Sequence, residues 1–171
     1  MNIVIEQAGP DDARLLSVLA TVSFYEAYFE QDTPTDIANY ITESFSIGLI
    51  ESELADPLIS YHVAYLNEKA VGYAKLARGS SAEGVEDGRG IEIKRIYTLE
   101  RVWGKGVGDR LLQHCKTVAK QSGAEYVWLG VWEENARALR FYAKHEFYRV
   151  GTVTFPYGDS VGINKVMKLE I

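Results

Sequence analysis

The sequence predicts an α/β protein of the α+β kind, in which helices flank a central, mixed and mostly antiparallel twisted sheet of about seven strands. Three observations lead to this prediction. Apolar side chains repeat at helical spacing in several segments, and short runs rich in β-branched and aromatic residues lie between them. Only one pair of consecutive strands is joined through a helix, so the sheet should contain a single parallel crossover.

The N-terminal part of the chain supplies one strand and three helices. Ile3 and Ile5 alternate with polar neighbours, which is the pattern of a short strand. Pro10 lies near the start of a helix over 9–29, and Thr33 before Pro34 is a similar start pattern for a second helix. A third helix is predicted over 47–56, where the following proline stops it.

The rest of the chain should alternate strands with helices. Two runs rich in Tyr, Val and Ile flank polar residues 67–69 and predict a β-hairpin, and a polar loop over 80–90 leads to a strand over 91–99. A glycine loop, a helix over 107–121 and a strand over 125–131 form the parallel crossover. A helix over 133–145 and a final hairpin close the chain. Because no repeat or linker interrupts this order, a single domain over residues 1–171 is predicted.

Composition and charge argue against several classes of function. The formal net charge is −6 and the isoelectric point is near 5.1, which argues against a nucleic-acid ligand and is compatible with a cationic substrate. The single cysteine, Cys115, cannot form an internal disulfide or a cysteine-cluster metal site, so we expect a core thiol and no metal. No signal peptide or membrane-spanning stretch is evident, so we expect a cytoplasmic protein that binds no membrane.

Three glycines alternate with other residues immediately before the helix over 107–121, at Gly104, Gly106 and Gly108. A nucleotide P-loop requires Lys-Ser or Lys-Thr after its second glycine and is excluded. The dinucleotide pattern G-x-G-x-x-G is missed by one residue and belongs on the first strand of a parallel sheet. The third interpretation is an anion cradle, in which bare backbone N–H groups and the helix N-terminus hold a pyrophosphate.

The order of two segments decides between these interpretations. "IYTLERVWGKGVGDRLLQHC", followed by "YVWLGVWEENARALRFYAKHEF", resembles the GCN5-related N-acetyltransferases, and the resemblance covers the whole chain in order. It implies acetyl-CoA as the cosubstrate. More narrowly, "SFYEAYF", "IYTLERVWGKGVGDRLL" and "WLGVWEENARALRFY" resemble the PaiA-type spermidine/spermine acetyltransferases. The narrower resemblance implies a polyamine as the acceptor.

Two registers fit the family's loop pattern R/Q-x-x-G-x-G/A. Arg101 begins a literal match, whereas the leucine pair at 111 and 112 favours a match that begins at Trp103. We prefer the second register, in which Trp103 stands where Gln or Arg is usual. The resemblance then implies that backbone groups of the loop and the first helical turn hold the pyrophosphate of CoA. The residues assigned to this role are Trp103, Gly104, Lys105, Gly106, Val107, Gly108 and Asp109.

The resemblance also assigns chemistry to the strands and to the helix over 133–145. Tyr142 lies where the family has the tyrosine that protonates or hydrogen-bonds the CoA sulfur, so it is the expected general acid. Asn135 would contact the pantetheine arm, and capping its helix is a compatible or alternative role. A change of phase near Arg95 indicates a β-bulge. It would splay the fourth strand, over 91–99, from the fifth, over 125–131, and open a cleft. The strand residues expected to present backbone groups there are Ile96, Tyr97 and Thr98.

The general base and the acceptor side are less constrained. Glu92 could deprotonate the incoming ammonium through water, although a solvent-facing glutamate between isoleucines fits equally well. His62 is a poorer candidate, and His114 and His145 are expected on helix surfaces. The acceptor would lie against aromatic and acidic side chains, for which core packing is the alternative role. These are Tyr25, Glu26 and Tyr28, next to Phe24, together with Trp132, which with Val131 would line the cleft.

The function predicted from these residues is direct acetyl transfer from acetyl-CoA to a primary amine, with no covalent enzyme intermediate. A polyamine such as spermidine or spermine is the expected acceptor, and a peptide or protein amine is the alternative. A non-catalytic acyl-CoA-binding regulatory module is the competing class, and a nucleotide-dependent oxidoreductase is disfavoured. The edge strands and final hairpin make a homodimer reasonable.

Overall fold

The computed structural model describes residues 2–171. It contains five helices and seven strands in the predicted order. The helices are α1 (Ala13–Tyr28), α2 (Pro34–Ser44), α3 (Ile47–Ala55), α4 (Val107–Gln121) and α5 (Ala136–Lys144). The strands are β1 (Ile3–Gln7), β2 (Ile59–Leu66), β3 (Lys69–Ala77), β4 (Gly90–Thr98), β5 (Tyr126–Trp132), β6 (Tyr148–Tyr157) and β7 (Ser160–Glu170).

The element boundaries follow from local chemistry. The Thr33 hydroxyl accepts a hydrogen bond from the Asp36 N–H at 3.2 Å, which caps α2 as its start pattern predicted. At the other end of α4, Gly123 has φ 83°, a left-handed conformation that stops the helix. Asn67 and Glu68 form the β2–β3 turn with φ of 48° and 65°. Left-handed values at both residues are the requirement of a type I′ hairpin turn.

The seven strands form one sheet in the order β1-β2-β3-β4-β5-β7-β6. β4 and β5 pair in parallel, whereas β1–β2, β5–β7 and β6–β7 pair antiparallel. The predicted mixed, mostly antiparallel sheet with one parallel crossover is therefore confirmed. An irregularity lies in β6, between Arg149 and Gly151. The bulge predicted near Arg95 remains a prediction.

The chain divides into two compact units, with divisions inside β3, β4 and α4. Unit 1 comprises the residues up to Leu76 together with Arg95–Cys115, and unit 2 comprises Ala77–Lys94 and Lys116–Ile171. The single domain over residues 1–171 remains a prediction.

Unit 1 buries the inner faces of α1–α3 against β2 and β3. Phe24 is central to this core, because its ring stacks on Tyr40 at 4.4 Å between centroids and lies 4.5 Å from the ring of Tyr28. The fully buried members of this core include Leu16, Leu19, Ile37, Phe45, Ile50, Tyr61, Val63 and Tyr73. Burial of these large side chains is the main stabilising contribution in the unit.

Unit 2 holds β5–β7, α5 and the loop over 80–89. The core contains Val85, Tyr126, Trp128 and Val166. Two carboxylates fix the loop to strands: Glu83 accepts from the Thr152 N–H at 2.7 Å, and Asp87 accepts from the Tyr126 hydroxyl at 2.5 Å. The segment predicted as a polar loop is therefore anchored at two points.

Candidate active site

The glycine loop in unit 1 owes its shape to two left-handed residues. Gly104 has φ 75° and Gly106 has φ 80°, a region that any other L-residue enters at a cost of about 1–2 kcal/mol. A Cβ added at either position would meet no heavy atom within 4 Å. Glycine is therefore needed here for its backbone conformation, and the surroundings are open.

Helix α4 begins directly after Gly106, whose carbonyl oxygen accepts from the Arg110 N–H at 3.1 Å. The first N–H groups of a helix have no acceptor in a preceding turn. With the partial positive charge of the helix N-terminus, these groups form a place where an anion can bind. Lys105 is exposed beside them. That this place holds a pyrophosphate remains a prediction.

The base of the loop is fixed by side chains. The Trp103 indole Nε1–H donates to the carbonyl oxygen of Thr98 at 3.1 Å, which ties the loop back to the end of β4. The Glu26 carboxylate of α1 accepts from the Glu100 N–H at 2.6 Å. Trp103 thus has a structural role in the position where Gln or Arg was expected, and the Thr98 carbonyl already has a donor.

The last residues of β4 are packed closely within unit 1. A Cβ on Gly72 of β3 would lie 2.7 Å from the Tyr97 carbonyl oxygen and 2.9 Å from Thr98 Cγ2, so only glycine fits there. The Tyr97 and Tyr28 hydroxyls lie 3.3 Å apart, and burial raises the pKa of Tyr97 well above its usual value. Ile96 and Thr98 are half-buried.

Unit 2 supplies Asn135 and Tyr142 through α5. The Asn135 side-chain oxygen accepts from the Ala138 N–H at 3.0 Å, so the predicted N-cap is confirmed. Tyr142 is 8 % exposed and its ring contacts those of Phe141 and Phe147. A tyrosine held on two sides by aromatic rings has a well-defined orientation.

The C-terminus of α5 contains a non-glycine residue in the left-handed region. Glu146 has φ 65°, a conformation that favours glycine. The Phe147 N–H then donates to the Tyr142 carbonyl oxygen at 3.1 Å, which closes the helix. The end of α5 is therefore irregular.

Glu92 and Trp132 lie on strands of unit 2. One carboxylate oxygen of Glu92, Oε2, is buried without a hydrogen bond of good geometry, although Lys94 Nζ lies 3.3 Å from it. We interpret the Lys94 contact as an ion pair. It leaves this oxygen able to accept a hydrogen bond from water. The parallel ladder ends here, because the paired residues run from Gly90↔Tyr126 to Glu92↔Trp128, whereas β5 continues to Trp132.

One of the two histidines of unit 1 is placed differently from the prediction. His114 was expected on a helix surface, but it is half-buried and its Nε2 lies 3.0 Å from Nδ1 of His62. The reason is that β2 presents His62, which is 2 % exposed, toward this part of α4. Burial and the neighbouring His114 lower the pKa of His62 to about 4. His145 of unit 2 is half-buried against the ring of Phe141.

Other predicted residues separate into core and surface. Cys115 is fully buried and burial raises the pKa of its thiol to about 12, so the predicted core thiol is confirmed. On α1, Phe24 is core, whereas Tyr25 is 43 % exposed and contacts Phe29. Tyr28 is half-buried beside Tyr97. The three α1 positions proposed for the acceptor therefore do not share one environment.

The sequence profile of the acetyltransferase (GNAT) family matches residues 20–147. This match covers most of the chain. The chain belongs to the GNAT family. It is therefore an acetyl-CoA-dependent N-acetyltransferase, as the two motif segments had indicated.

Individual relatives agree with membership in the GNAT family. The chain is similar to an uncharacterized N-acetyltransferase of Mycobacterium tuberculosis, with 35% identity over 160 residues that cover 94% of this chain and 98% of the relative. Among solved structures it is similar to the PaiA N-acetyltransferase of Thermoplasma acidophilum in complex with coenzyme A, with TM-score 0.78, 20% identity and complete coverage of both chains. It is also similar to a ribosomal-protein-alanine N-acetyltransferase of Brucella melitensis, with TM-score 0.67, 20% identity and coverage of 98% and 99%.

None of the helices within residues 2–171 is both long enough and apolar enough to cross a membrane. The same residues contain no group of three or more His, Cys, Asp or Glu side chains that could hold a metal ion.

Proposed function

We propose that this GNAT enzyme transfers the acetyl group directly from acetyl-CoA to a primary amine, with Tyr142 as the general acid. The amine nitrogen attacks the thioester carbonyl carbon, the C–S bond breaks, and the Tyr142 hydroxyl protonates the departing sulfur. The ammonium loses one proton to a base before attack. The second proton, which the nitrogen loses as the amide forms, restores the Tyr142 hydroxyl. The observation that carries the proposal is the pair of left-handed glycines, Gly104 and Gly106, in open surroundings directly before α4.

The proposed contacts of acetyl-CoA come from the glycine loop, the last residues of β4 and Asn135. Within the predicted segment from Trp103 to Asp109, the backbone N–H of Gly104 and those from Gly106 onward would hold the pyrophosphate, which the conformation of the loop supports. The N–H groups of Trp103 and Lys105 already donate to the carbonyl oxygens of Glu100 and Val102. Backbone groups of Ile96, Tyr97 and Thr98 would meet the pantetheine and the acetyl carbonyl. Because the Thr98 carbonyl oxygen accepts from Trp103, its N–H rather than its carbonyl is the group we assign. Asn135 would contact the pantetheine while its side chain also caps α5.

We propose Glu92 as the general base, acting through water. An ammonium with a pKa near 10 must lose its proton before it can attack, so the enzyme needs an acceptor for that proton. The buried Oε2 atom of Glu92, which has no hydrogen-bond donor of good geometry, supports this role. Lys94 Nζ lies 3.3 Å from the same oxygen.

The first of two candidate acceptors is a polyamine such as spermidine or spermine. The net charge of −6, the exposed ring of Tyr25 and the similarity in fold to the PaiA acetyltransferase support it. Glu26, Tyr28 and Trp132 would complete the acceptor side. A second candidate is an amino acid or a peptide amine. It is favoured by the surroundings of Arg95 in unit 1, which are described below.

Thermal unfolding tests the cofactor, and thiol release tests the reaction. Acetyl-CoA should raise the melting temperature, because a ligand that binds only the folded chain stabilises it, whereas NAD should not. Absence of a shift with acetyl-CoA would contradict the assignment of the glycine loop. Release of the CoA thiol would then be followed with spermidine, spermine, a free amino acid and a peptide N-terminus. Binding of acetyl-CoA without turnover on any amine would favour the non-catalytic module.

Two further properties are proposed without a site. A homodimer is supported by apolar side chains exposed along one face of α1, namely Val18, Val22, Tyr25 and Phe29. Sedimentation velocity at several concentrations would test it. A cytoplasmic location is consistent with a single buried cysteine and no disulfide among residues 2–171. Fractionation of the source cells would test it.

A further inference from the structure

A connected set of polar side chains lies inside unit 1, beneath α2 and α3. Lys75 of β3 is 4 % exposed and forms an ion pair with Glu53 of α3. The Tyr61 hydroxyl of β2 donates to the same carboxylate. Burial and this hydrogen bond raise the pKa of Tyr61. The negative charge of Glu53 is thus already shared by two donors.

Arg95 of β4 brings a second positive charge to this set. Its guanidinium lies over the ring of Phe45, 4.8 Å from the ring centroid, and donates to the hydroxyl of Tyr40. Tyr61 and Tyr73 are also near enough to influence its ionisation. No carboxylate of residues 2–171 forms an ion pair with Arg95. The surroundings of this cation are therefore aromatic rings and hydroxyl groups.

The Tyr73 hydroxyl is a further polar group near Arg95. The side chain of Tyr73 is completely buried, and its hydroxyl has no hydrogen-bond partner among the described residues. Burial raises the pKa of Tyr73, and the positive charge of Arg95 opposes that shift. A buried hydroxyl without a partner is destabilising, so its retention requires an explanation such as a bound polar group.

The charges of this set do not cancel. Of the charged side chains named in this set, Lys75 and Arg95 are cations and Glu53 is a carboxylate, which pairs with Lys75. The Arg95 guanidinium is half-buried and makes one hydrogen bond to the protein. Most of its five N–H donors therefore remain for another acceptor. A carboxylate matches this fork in shape and charge, and an ammonium is repelled by it. The chemistry of the set therefore selects an anion.

The position of Arg95 relates the set to the proposed reaction. Arg95 directly precedes Ile96, Tyr97 and Thr98, whose backbone is assigned above to the pantetheine and the acetyl carbonyl. A strand rises about 3.3 Å per residue, so the Cα atom of Arg95 lies within about 10 Å of each of these backbone groups. That separation suits an acceptor whose amine and carboxylate are a few bonds apart.

We propose that Arg95, with the hydroxyl groups of Tyr40 and Tyr73, binds a carboxylate of the acceptor, so that the acceptor class is an amino acid or a peptide and not a polyamine. This inference rests on the acetyl transfer proposed above and specifies its acceptor. Arg95 supplies the charge and the fork of donors, whereas the tyrosine hydroxyls fix the orientation of the bound carboxylate. An acceptor that lacks the carboxylate leaves the guanidinium uncompensated and binds weakly.

The test uses acetylated products, because they carry no ionisable amine. N-acetylalanine, N-acetylleucine and N-acetylphenylalanine are each titrated beside the corresponding carboxamide, with CoA present, by calorimetry on the full chain. We expect at least one acid to bind about tenfold or more tightly than its amide, which corresponds to about 1.4 kcal/mol. Equal affinities for acid and amide, or no binding of either, would overturn the proposal. CoA binding is measured separately, so failure of the cofactor assignment is recognised on its own.

Variants assign the preference to Arg95. Arg95→Gln should abolish the preference for the acid, and Arg95→Lys should retain part of it. Tyr73→Phe keeps the charge of Arg95 and should weaken the preference a few-fold. Arg14→Gln removes an exposed arginine from α1 and should leave the preference unchanged. A preference that survives Arg95→Gln would overturn the proposal. If Arg95→Gln does not fold, an unchanged preference in both Arg95→Lys and Tyr73→Phe would overturn it instead.

Discussion

Nδ1 of His62 lies 3.0 Å from Nε2 of His114, so one imidazole donates a hydrogen bond to the other inside unit 1. The opposite nitrogen of His62, Nε2, lies 3.1 Å from the Ser60 hydroxyl. Both ring nitrogens of His62 thus have partners that suit a neutral ring. A second proton would place an uncompensated charge in a buried site beside another histidine.

This pair predicts a loss of stability in mild acid. The pKa of His62 is about 4 in the folded chain, against 6.5 in the unfolded chain, and that of His114 is also lowered by burial. The unfolded state therefore binds protons first, so the stability is complete above pH 6.5 and falls as the pH drops toward 4. His62 alone should remove about 2 kcal/mol between pH 7 and pH 5.

Urea unfolding at pH 7 and pH 5 measures this loss. The same experiment on His62→Gln supplies the control, because that variant has no imidazole to protonate at this position. Its stability should change less between the two pH values than that of the original chain. A wild-type stability that stays constant from pH 7 to pH 5 would contradict the placement of the two rings.

Removal of the Tyr142 hydroxyl should affect turnover rather than binding. Tyr142→Phe keeps the ring contacts with Phe141 and Phe147 but removes the proton donor. General acid catalysis contributes about 10²- to 10⁴-fold, so kcat should fall by that factor while the Kd of acetyl-CoA changes little. Tyr148→Phe removes an exposed hydroxyl that donates to Glu170 at 2.9 Å, and it should leave kcat unchanged. Unchanged turnover in Tyr142→Phe would exclude it as the acid.

Gly106→Ala should weaken acetyl-CoA binding through backbone strain. The position has φ 80° and open surroundings, so the added methyl group meets no atom and the cost of about 1–2 kcal/mol is conformational. Relief of that strain would turn the loop away from the anion, and the Kd for acetyl-CoA should rise on the order of tenfold.

Gly88→Ala is the matched control for that change. Gly88 has φ 73° and no atom within 4 Å of an added Cβ, but it lies in the loop of unit 2. Both variants should lose similar stability in urea, and only Gly106→Ala should lose affinity in calorimetry. Equal acetyl-CoA affinity in the two variants would remove the loop from the binding site.

Glu146→Gly should stabilise the chain. Glu146 has φ 65°, which costs a non-glycine residue about 1–2 kcal/mol, and the extra unfolded-state freedom of glycine offsets part of the gain. A net gain of about 0.5–1 kcal/mol corresponds to a rise of about 2 °C in melting temperature. Ala143→Gly, in the right-handed part of α5, should instead cost about 1 kcal/mol. A lower melting temperature for Glu146→Gly would refute this account of the helix end.

The order and boundaries of the elements could be predicted from the sequence because local chemistry determines them. Thr33 caps α2 and Asn135 caps α5, and their side chains make these bonds whatever lies elsewhere in the fold. The glycine loop could likewise be predicted from the sequence, because alternate glycines before a helix have few structural roles. The role of Tyr142 came from a family resemblance, and that of Glu92 came from its place on β4 and the need for a proton acceptor. Both remain predictions.

The contacts between distant residues could not be predicted in the same way. His114 pairs with His62 only because β2 and α4 come together, which no local pattern encodes. The same holds for the ion pair of Lys75 and Glu53 and for the hydroxyl of Tyr73. A lysine within an apolar strand is the one pattern that could have drawn attention to this region, because buried lysines need a partner.

The hydrogen bond from the Trp103 indole to the Thr98 carbonyl has a consequence for binding kinetics. Because the base of the loop is already fixed, the conformational entropy of ordering it is lost when the chain folds and not when a ligand arrives. Association should then resemble docking to a rigid surface, with single-phase kinetics. The same indole is a natural fluorophore at that position, so its emission can follow each binding event without a label.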